Sequence, residues 1–305
     1  MRVCVTGATG FLGSHLVHEL VERGHDVAIL LRSTTDAWRL TAVMSRVTPI
    51  TGALDDIDGF RGVVADFAPA ALIHMAWRGV GNDDRNNPSQ ARNIVDTVEL
   101  LKLCSDIGIK VFVGAGSQAE YGPYERAIRE DDFPRPTTLY GKAKLAAGTM
   151  AAQMAEELHL RFVWLRVFSA YGAKDHSRWL IPSLIKTLKA GKRMPLTRCE
   201  QLWSFVHARD VAAAFRVALE NEHAVGNYNL GSPEATPLNE VVTLVRDLVN
   251  PAAELGFGDI PYRQDQVMIL QPDIRRMLAL GWKPSVALPV GLRETVQWYV
   301  NAARE

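Results

Sequence analysis

Cysteine is scarce. The 305-residue chain has three, Cys4, Cys104 and Cys199. They are scattered and form no CxxC pair, which excludes a disulfide framework and gives no sign of a zinc cluster or other metal site. The expectation is three reduced, buried, small apolar side chains. An excess of charge of one sign is lacking too. Lys plus Arg and Asp plus Glu both number 34, for a net charge of zero. That balance argues against a basic nucleic-acid surface and against a polybasic membrane anchor. No run approaches the roughly 18 apolar residues of a membrane span. The first strand pattern starts at Arg2, which leaves no room for a signal peptide. These absences imply a soluble, cytoplasmic protein with neither a nucleic-acid nor a membrane partner. What remains is an ordinary folding composition, 48% hydrophobic. At roughly 150 residues per domain, one large domain or two moderate ones are expected.

The first half alternates short apolar runs with helical spacing. Strands are expected at Arg2–Thr6, Asp26–Leu31, Val47–Thr51, Ala71–Ala76, Lys110–Gly114 and Arg161–Phe168. Helical spacing covers Gly13–Arg23, Asn93–Cys104 and Gly141–Leu158. Near-continuous apolar strands separated by helices indicate an α/β fold with a parallel sheet covered on both faces. Right-handed crossovers make it a doubly wound, Rossmann-type sheet with ligands at the strands' carboxyl ends. After Phe168 the rhythm breaks and prolines punctuate short elements. We expect residues 1–170 to form the dinucleotide-binding domain, with a returning segment at about 205–232. Residues 171–305 then form mainly a smaller substrate-binding subdomain, and Val290–Ala303 a final amphipathic helix.

Gly7-Ala-Thr9-Gly10-Phe11-Leu12-Gly13 follows the first strand and opens the first helix. Glycines there let the backbone approach a pyrophosphate, and the helix N-terminus offers unpaired N–H groups to the anion. The strand–loop–helix context makes this a dinucleotide site. The second strand ends in Leu31-Arg32-Ser33, where an acidic residue would read a ribose 2′-hydroxyl. Arg32 and Ser33 suit a 2′-phosphate instead, so NADP(H) is expected rather than NAD(H). Tyr140 and Lys144 have i, i+4 spacing on one face of the third helix. A phenol has a reference pKa of about 10, which a nearby ammonium lowers. Ser117 follows the fifth strand, where a doubly wound sheet binds substrate. Ser117, Tyr140 and Lys144 together make an acid–base set for hydride transfer.

The chain resembles the extended short-chain dehydrogenase/reductase family, the NAD(P)-dependent sugar-nucleotide epimerases, dehydratases and reductases. The matching segments are GATGFLG at 7–13, HMAW at 74–77, Asn93, GSQAEYG at 116–122, YGKAK at 140–144 and RVFSAYG at 166–172. FVHARDVA at 205–212, YNLGS at 228–232 and the LGWKP…GLRETVQWY segment at 280–299 continue the order. The resemblance implies that Ser117, Tyr140 and Lys144 are catalytic and that Lys144 also holds the nicotinamide ribose. It places Ala76 and Asn93 beside the cofactor and His74 in a structural role near it. It implies a nucleotide diphosphate sugar in the C-terminal third, with Arg263 placed for the diphosphate or else an ordinary surface cation. A homodimer through the helices at Asn93–Cys104 and Gly141–Leu158 is also implied.

Departures from the family pattern narrow the chemistry. The resemblance gives 4,6-dehydratases an Asp–Glu pair just after the strand-five hydroxyl. Gln118 and Ala119 stand there, and Glu120 is one residue out of register. Trp203-Ser204 replaces an Arg-Asp pair that grips diphosphate in many epimerases. Trp203 suits either stacking on a base or sugar, or core packing. Ser169 replaces a common asparagine, and Ala53 a common aspartate beside the adenine. HMAW in place of the commoner HLAA resembles the branch that reduces nucleotide-activated 4-keto-6-deoxyhexoses. That is the leading expectation, with Gln118, Trp203 and Arg263 on the substrate. A nucleotide-sugar 4-epimerase with bound NAD, a reductase of a non-sugar ketone, and a non-catalytic NADP-sensing scaffold are the alternatives.

Overall fold

The computed structural model describes residues 1–263 and 266–301. The first half runs β1 (Arg2–Thr6), α1 (Phe11–Glu22), β2 (Asp26–Leu31), β3 (Val47–Thr51), α2 (Asp58–Phe67), β4 (Ala71–His74), α3 (Gln90–Asp106), β5 (Val111–Ser117), α4 (Leu139–Glu157) and β6 (Arg161–Val167). The second half runs β7 (Ala170–Tyr171), α5 (Leu180–Lys189), β8 (Met194–Leu196), β9 (Leu202–Trp203), β10 (Val206–His207), α6 (Ala208–Glu220), β11 (Gly226–Leu230), β12 (Thr236–Pro237), α7 (Leu238–Val249), β13 (Leu255–Phe257), β14 (Ile269–Leu270), α8 (Arg275–Ala279) and α9 (Leu288–Asn301). Residues 302 and 303 of the expected last helix lie outside the described residues.

Seven strands form one parallel sheet in the order β3-β2-β1-β4-β5-β6-β11. The expected doubly wound sheet is therefore present, and the strand inside the returning segment is its seventh member. Alternation along β1 shows why both faces must be covered. Val3 and Val5 pack with Leu16, Leu20 and Phe215 under α1 and α6. Cys4, on the other face, packs with Leu100, Cys104 and Ala151 under α3 and α4. All three cysteines are free and buried. Burial pushes the Cys4 thiol up to about 12 and Cys104 up as well, so both are inert. A separate core of Leu184, Leu188, Val241, Val245 and Leu292 joins α5, α7 and α9 in the C-terminal third.

Two elements differ from expectation. Helix α2 was not expected: Gly59 and Gly62 weaken its helix propensity, although Phe60, Val63, Val64 and Phe67 have helical spacing. Burial of Phe60 and Val64 holds it in place, and Ala68 ends it in the left-handed region. Strand β5 runs three residues beyond Gly114, because β6 supplies partners for Ala115, Gly116 and Ser117. Gly114 and Gly116 leave room for the Trp164 indole of β6. That extension carries Ser117 to the strand's carboxyl end.

Candidate active site

The strand order reverses between β1 and β4, and a cavity of about 1190 Å³ opens above that point. It exceeds the roughly 300–1,000 Å³ of a site for one small ligand, so it has room for two. The glycine loop forms its floor. Gly7 has φ of 71°, and a Cβ there would run into the Ala76 amide nitrogen after β4. Gly10 caps α1 with no side-chain acceptor, so the first-turn amides face the cavity side of the helix without a side-chain partner. A cradle closed to side chains beside free helix amides fits a dinucleotide pyrophosphate.

Of the residues expected to bind cofactor, Gly7, Thr9, Gly10, Phe11, Leu12, Gly13, Arg32, Ala76, Tyr140 and Lys144 all line this cavity. Ser33 does not. It is exposed just past the strand, beyond the cavity wall. Asn93 is buried outside the lining and works on the backbone instead. Its Oδ1 accepts from the Arg78 amide at 2.8 Å and its Nδ2 donates to the Arg78 carbonyl at 3.1 Å. It thereby shapes the segment after β4. Gln118, Trp203 and Arg263 line the same cavity. Trp203 is half-buried and donates from Nε1 to the Val267 carbonyl at 3.1 Å, so it packs and faces the cavity at once.

Helix α4 delivers the acid–base residues. Thr138 caps it through Oγ1, which accepts from the Gly141 amide at 3.1 Å. Gly141 lets the helix approach the Ala119 carbonyl so closely that a Cβ would clash. This approach brings the Tyr140 side chain beside Ser117 in the cavity wall. Burial raises the Tyr140 pKa, while the neighbouring Ser117 hydroxyl and the nearby Arg85 charge pull it down. The sequence pointed to Lys144 for that role. In the structure Arg85, from the loop after β4, supplies the charge facing Tyr140. Lys144 is one turn on, buried, with its ammonium donating to the Ala115 carbonyl at 2.6 Å. Burial brings it down to about 7, against the opposing charge of Glu120.

Glu120 is turned away from the cavity. Its Oε1 accepts from the Ser117 amide at 2.8 Å and from Trp164 Nε1 at 3.0 Å. Its Oε2 accepts from Arg166 Nε at 2.7 Å. Arg166 also donates to the Tyr121 hydroxyl, which donates to Asn229, each at 2.7 Å. His74 has the structural role the resemblance implied. Thr6 and Thr97 hydrogen-bond its two ring nitrogens, and burial holds it neutral, its pKa lowered to about 3.

Sequence reasoning missed Arg39, Trp77, Arg85 and Asp175, all in the cavity wall. Arg39 donates to the Lys174 carbonyl at 2.8 Å and to the Thr9 carbonyl at 3.4 Å, and lies 4.3 Å over the Trp38 ring. Asp175 is raised to about 7 by burial. Arg39 falls in the short helical turn Trp38–Leu40 and Arg85 in a polar stretch just after the turn Asn82–Asp84, and no sequence signal distinguishes either. Trp77 was visible as the departure from HLAA.

The family follows from comparison. The sequence pattern of the NAD dependent epimerase/dehydratase family matches residues 3–231. The chain belongs to that family. CDP-abequose synthase of Salmonella muenchen is 22% identical over 96% of each chain. The crystal structure of UDP-glucose 4-epimerase with UDP-glucose from Thermotoga maritima superposes with a TM-score of 0.90. It is 23% identical and covers 98% of this chain and 99% of its own. The Thermus thermophilus UDP-glucose 4-epimerase in complex with NAD has a TM-score of 0.86 and is 26% identical, over 99% of this chain and all of its own. Membership makes the chain an NAD-dependent epimerase/dehydratase-type protein, and the relatives above are named for nucleotide-linked sugars and NAD. Among the described residues, no helix is long and apolar enough to cross a membrane and no cluster could hold a metal ion.

Proposed function

We propose that the chain reduces the 4-keto group of a nucleotide-activated 4-keto-6-deoxyhexose with NADPH. The observation that carries this reading is that Ser117, Tyr140 and Lys144 come together in the cavity wall shared with the glycine loop. When bound there, the reduced dinucleotide supplies a hydride to the substrate's carbonyl carbon. Tyr140 gives the proton that the carbonyl oxygen gains, and Ser117 orients that oxygen by hydrogen bonding. Lys144 holds positive charge beneath the pair and donates to the nicotinamide ribose, while Arg85 lowers the Tyr140 pKa from the opposite wall. Gln118, Trp203 and Arg263, in the same cavity, hold the nucleotide sugar.

Reduction is favoured over dehydration because Gln118 carries no acid or base and Glu120 is locked in the core. Similarity to CDP-abequose synthase, named for making a CDP-linked sugar, agrees with a biosynthetic role. NADPH is favoured over NADH by Arg32 and Arg39 in the cavity wall and by the lack of a carboxylate after β2. The solved 4-epimerases support a second reading, 4-epimerisation with retained NAD, on the same residues. Residues 1–170 with the returning segment serve the dinucleotide, and the C-terminal third serves the sugar nucleotide. The outer faces of α3 and α4, where Val95 and Met150 are exposed, would form a homodimer.

The test is NADPH consumption with a panel of nucleotide-activated 4-keto-6-deoxyhexoses, beside NADH controls. Stoichiometric consumption with one of them is expected. Copurifying NAD with isomerisation of a sugar nucleotide and no net consumption would select the epimerase instead. Tyr140→Phe should lower turnover at least about a hundredfold, the low end for general acid catalysis. Near-normal turnover in that variant would overturn the mechanism.

A further inference from the structure

We propose that Trp77 is a positioning residue for the acid–base pair, its indole face seating the Lys144 ammonium while its ring meets the Tyr140 ring at right angles. The inference rests on the reading that Tyr140 and Lys144 carry the proton chemistry. Lys144 Nζ lies 3.6 Å from the Trp77 ring centroid, the closest cation–ring approach among the described residues. The Trp77 and Tyr140 rings are 6.1 Å apart at 83°. One indole therefore touches both members of the i, i+4 pair.

The seat is itself fixed. Trp77 Nε1 donates to Gln90 Oε1 at 2.9 Å. The Gln90 amide in turn donates to the Gly79 carbonyl at 2.6 Å and the Asp84 carbonyl at 3.1 Å. Gln90 is buried on the first turn of α3. The indole cannot rotate without breaking that chain, so its face stays under the ammonium.

The physical need is clear. A buried ammonium has three donors and has lost its water. Ala115 accepts one of the three. A negative ring face is the remaining compensation a buried apolar wall can offer, and it is strongest for tryptophan and in a desolvated site. The other groups facing Lys144 divide in sign. Glu120, below β5, favours its charge, and the Trp164 ring stands at 5.8 Å. His74 on β4 is held neutral by burial. Tyr140 shares its helix, and the Arg85 charge acts on Tyr140. The alanine of the commoner HLAA pattern has no ring to offer.

The experiment labels the protein with 13C-lysine and follows the ε-methylene signal of Lys144 through a pH titration, assigned with Lys144→Met. It needs no substrate, so its result is separate from whether the chain is a ketoreductase. One lysine titrating near 7 is expected in the parent protein. Trp77→Leu keeps apolar bulk but removes the ring face, and should lower that pKa by about one, a tenfold weaker proton affinity and about a fivefold loss of ammonium at pH 7. Trp77→Phe keeps a face and should stay within about half of one of the parent value. If the leucine variant does not fold, Trp77→Met gives the same comparison. An unchanged Lys144 titration in the ring-less variant, or equal shifts with Phe and Leu, would overturn the proposal. In the active enzyme, the pH profile of kcat should move with the NMR titration, which loss of packing alone would not produce.

Discussion

Replacing Glu120 by glutamine isolates what the buried carboxylate does. Glu120 and Arg166 expose 1% and 7% of their side chains and pair at 2.7 Å. The amide is nearly isosteric and can still accept from the Ser117 amide or the Trp164 indole. Its NH2 group, however, cannot accept from Arg166, so the guanidinium is left buried with an uncompensated charge. Breaking a buried pair from one side costs about 3–5 kcal/mol. At roughly 2 °C per kcal/mol for a chain of this size, the melting midpoint should fall by about 6 °C or more. Thermal unfolding followed by circular dichroism reads this directly. The double variant Glu120→Gln/Arg166→Met removes both charges and should recover part of the loss, a non-additivity expected only of contacting residues. A single variant within about 1 kcal/mol of the parent, or strictly additive effects, would refute the structural role of the pair. Glu120 would then return as a candidate proton carrier, and with it the dehydratase chemistry set aside above.

Arg32→Ala should weaken NADPH binding about tenfold or more and leave NADH nearly unchanged, because only the 2′-phosphate needs the cation. Arg39→Ala should weaken both, since its guanidinium also ties the glycine loop at Thr9 to Lys174. Isothermal titration with the two dinucleotides separates these outcomes, and equal losses for Arg32→Ala would defeat the NADP assignment. His74, lowered to about 3 from 6.5, binds fewer protons folded than unfolded between those values. Its contribution is complete above pH 6.5 and is lost as pH falls toward 3. His74→Gln should therefore flatten the acid limb of a stability–pH curve in that window, and an unchanged limb would contradict the buried neutral ring.

The glycine loop was legible because its spacing and its place between a strand and a helix carry their own geometry. Five of the seven sheet strands were legible for a similar reason, since buried parallel strands are continuous apolar runs, whereas Val47–Thr51, with one buried residue, gives only a weak strand signal. The seventh, Gly226–Leu230, mixes Gly, Asn and Tyr with its Leu, and was anticipated only as a returning segment. Tyr140 and Lys144 were legible from helical spacing. The cation that faces Tyr140 was not, because Arg85 arrives from a loop 55 positions earlier whose sequence has no period. Asn93 was read as a cofactor ligand, yet it works one step back, through the backbone of Arg78. Side-chain direction at the end of a strand is set by tertiary packing, and spacing along the chain does not encode it.

The segment Gly116–Gly122 shows how a single motif divides between site and scaffold. Ser117 and Gln118 line the cavity, whereas Glu120 and Tyr121 are fully buried beneath it. The division comes from the short helical turn at Gln118–Glu120, which Ser117 caps with its own hydroxyl while Glu120 reaches back to the Ser117 amide. The cap fixes the serine's backbone from both ends, so its side chain is aimed by the core. The same carboxylate anchors Arg166 of β6, which reaches Tyr121, and Tyr121 holds Asn229 of β11. Three neighbouring strands thus fix the position of one hydroxyl. Residues of the RVFSAYG and YNLGS segments enter the chemistry by this route, as the frame that sets the Ser117–Tyr140 distance. Substitutions in that frame should therefore appear first in kcat, through misplacement of the hydroxyl pair, while dinucleotide affinity, set on the far side of β4, stays near normal.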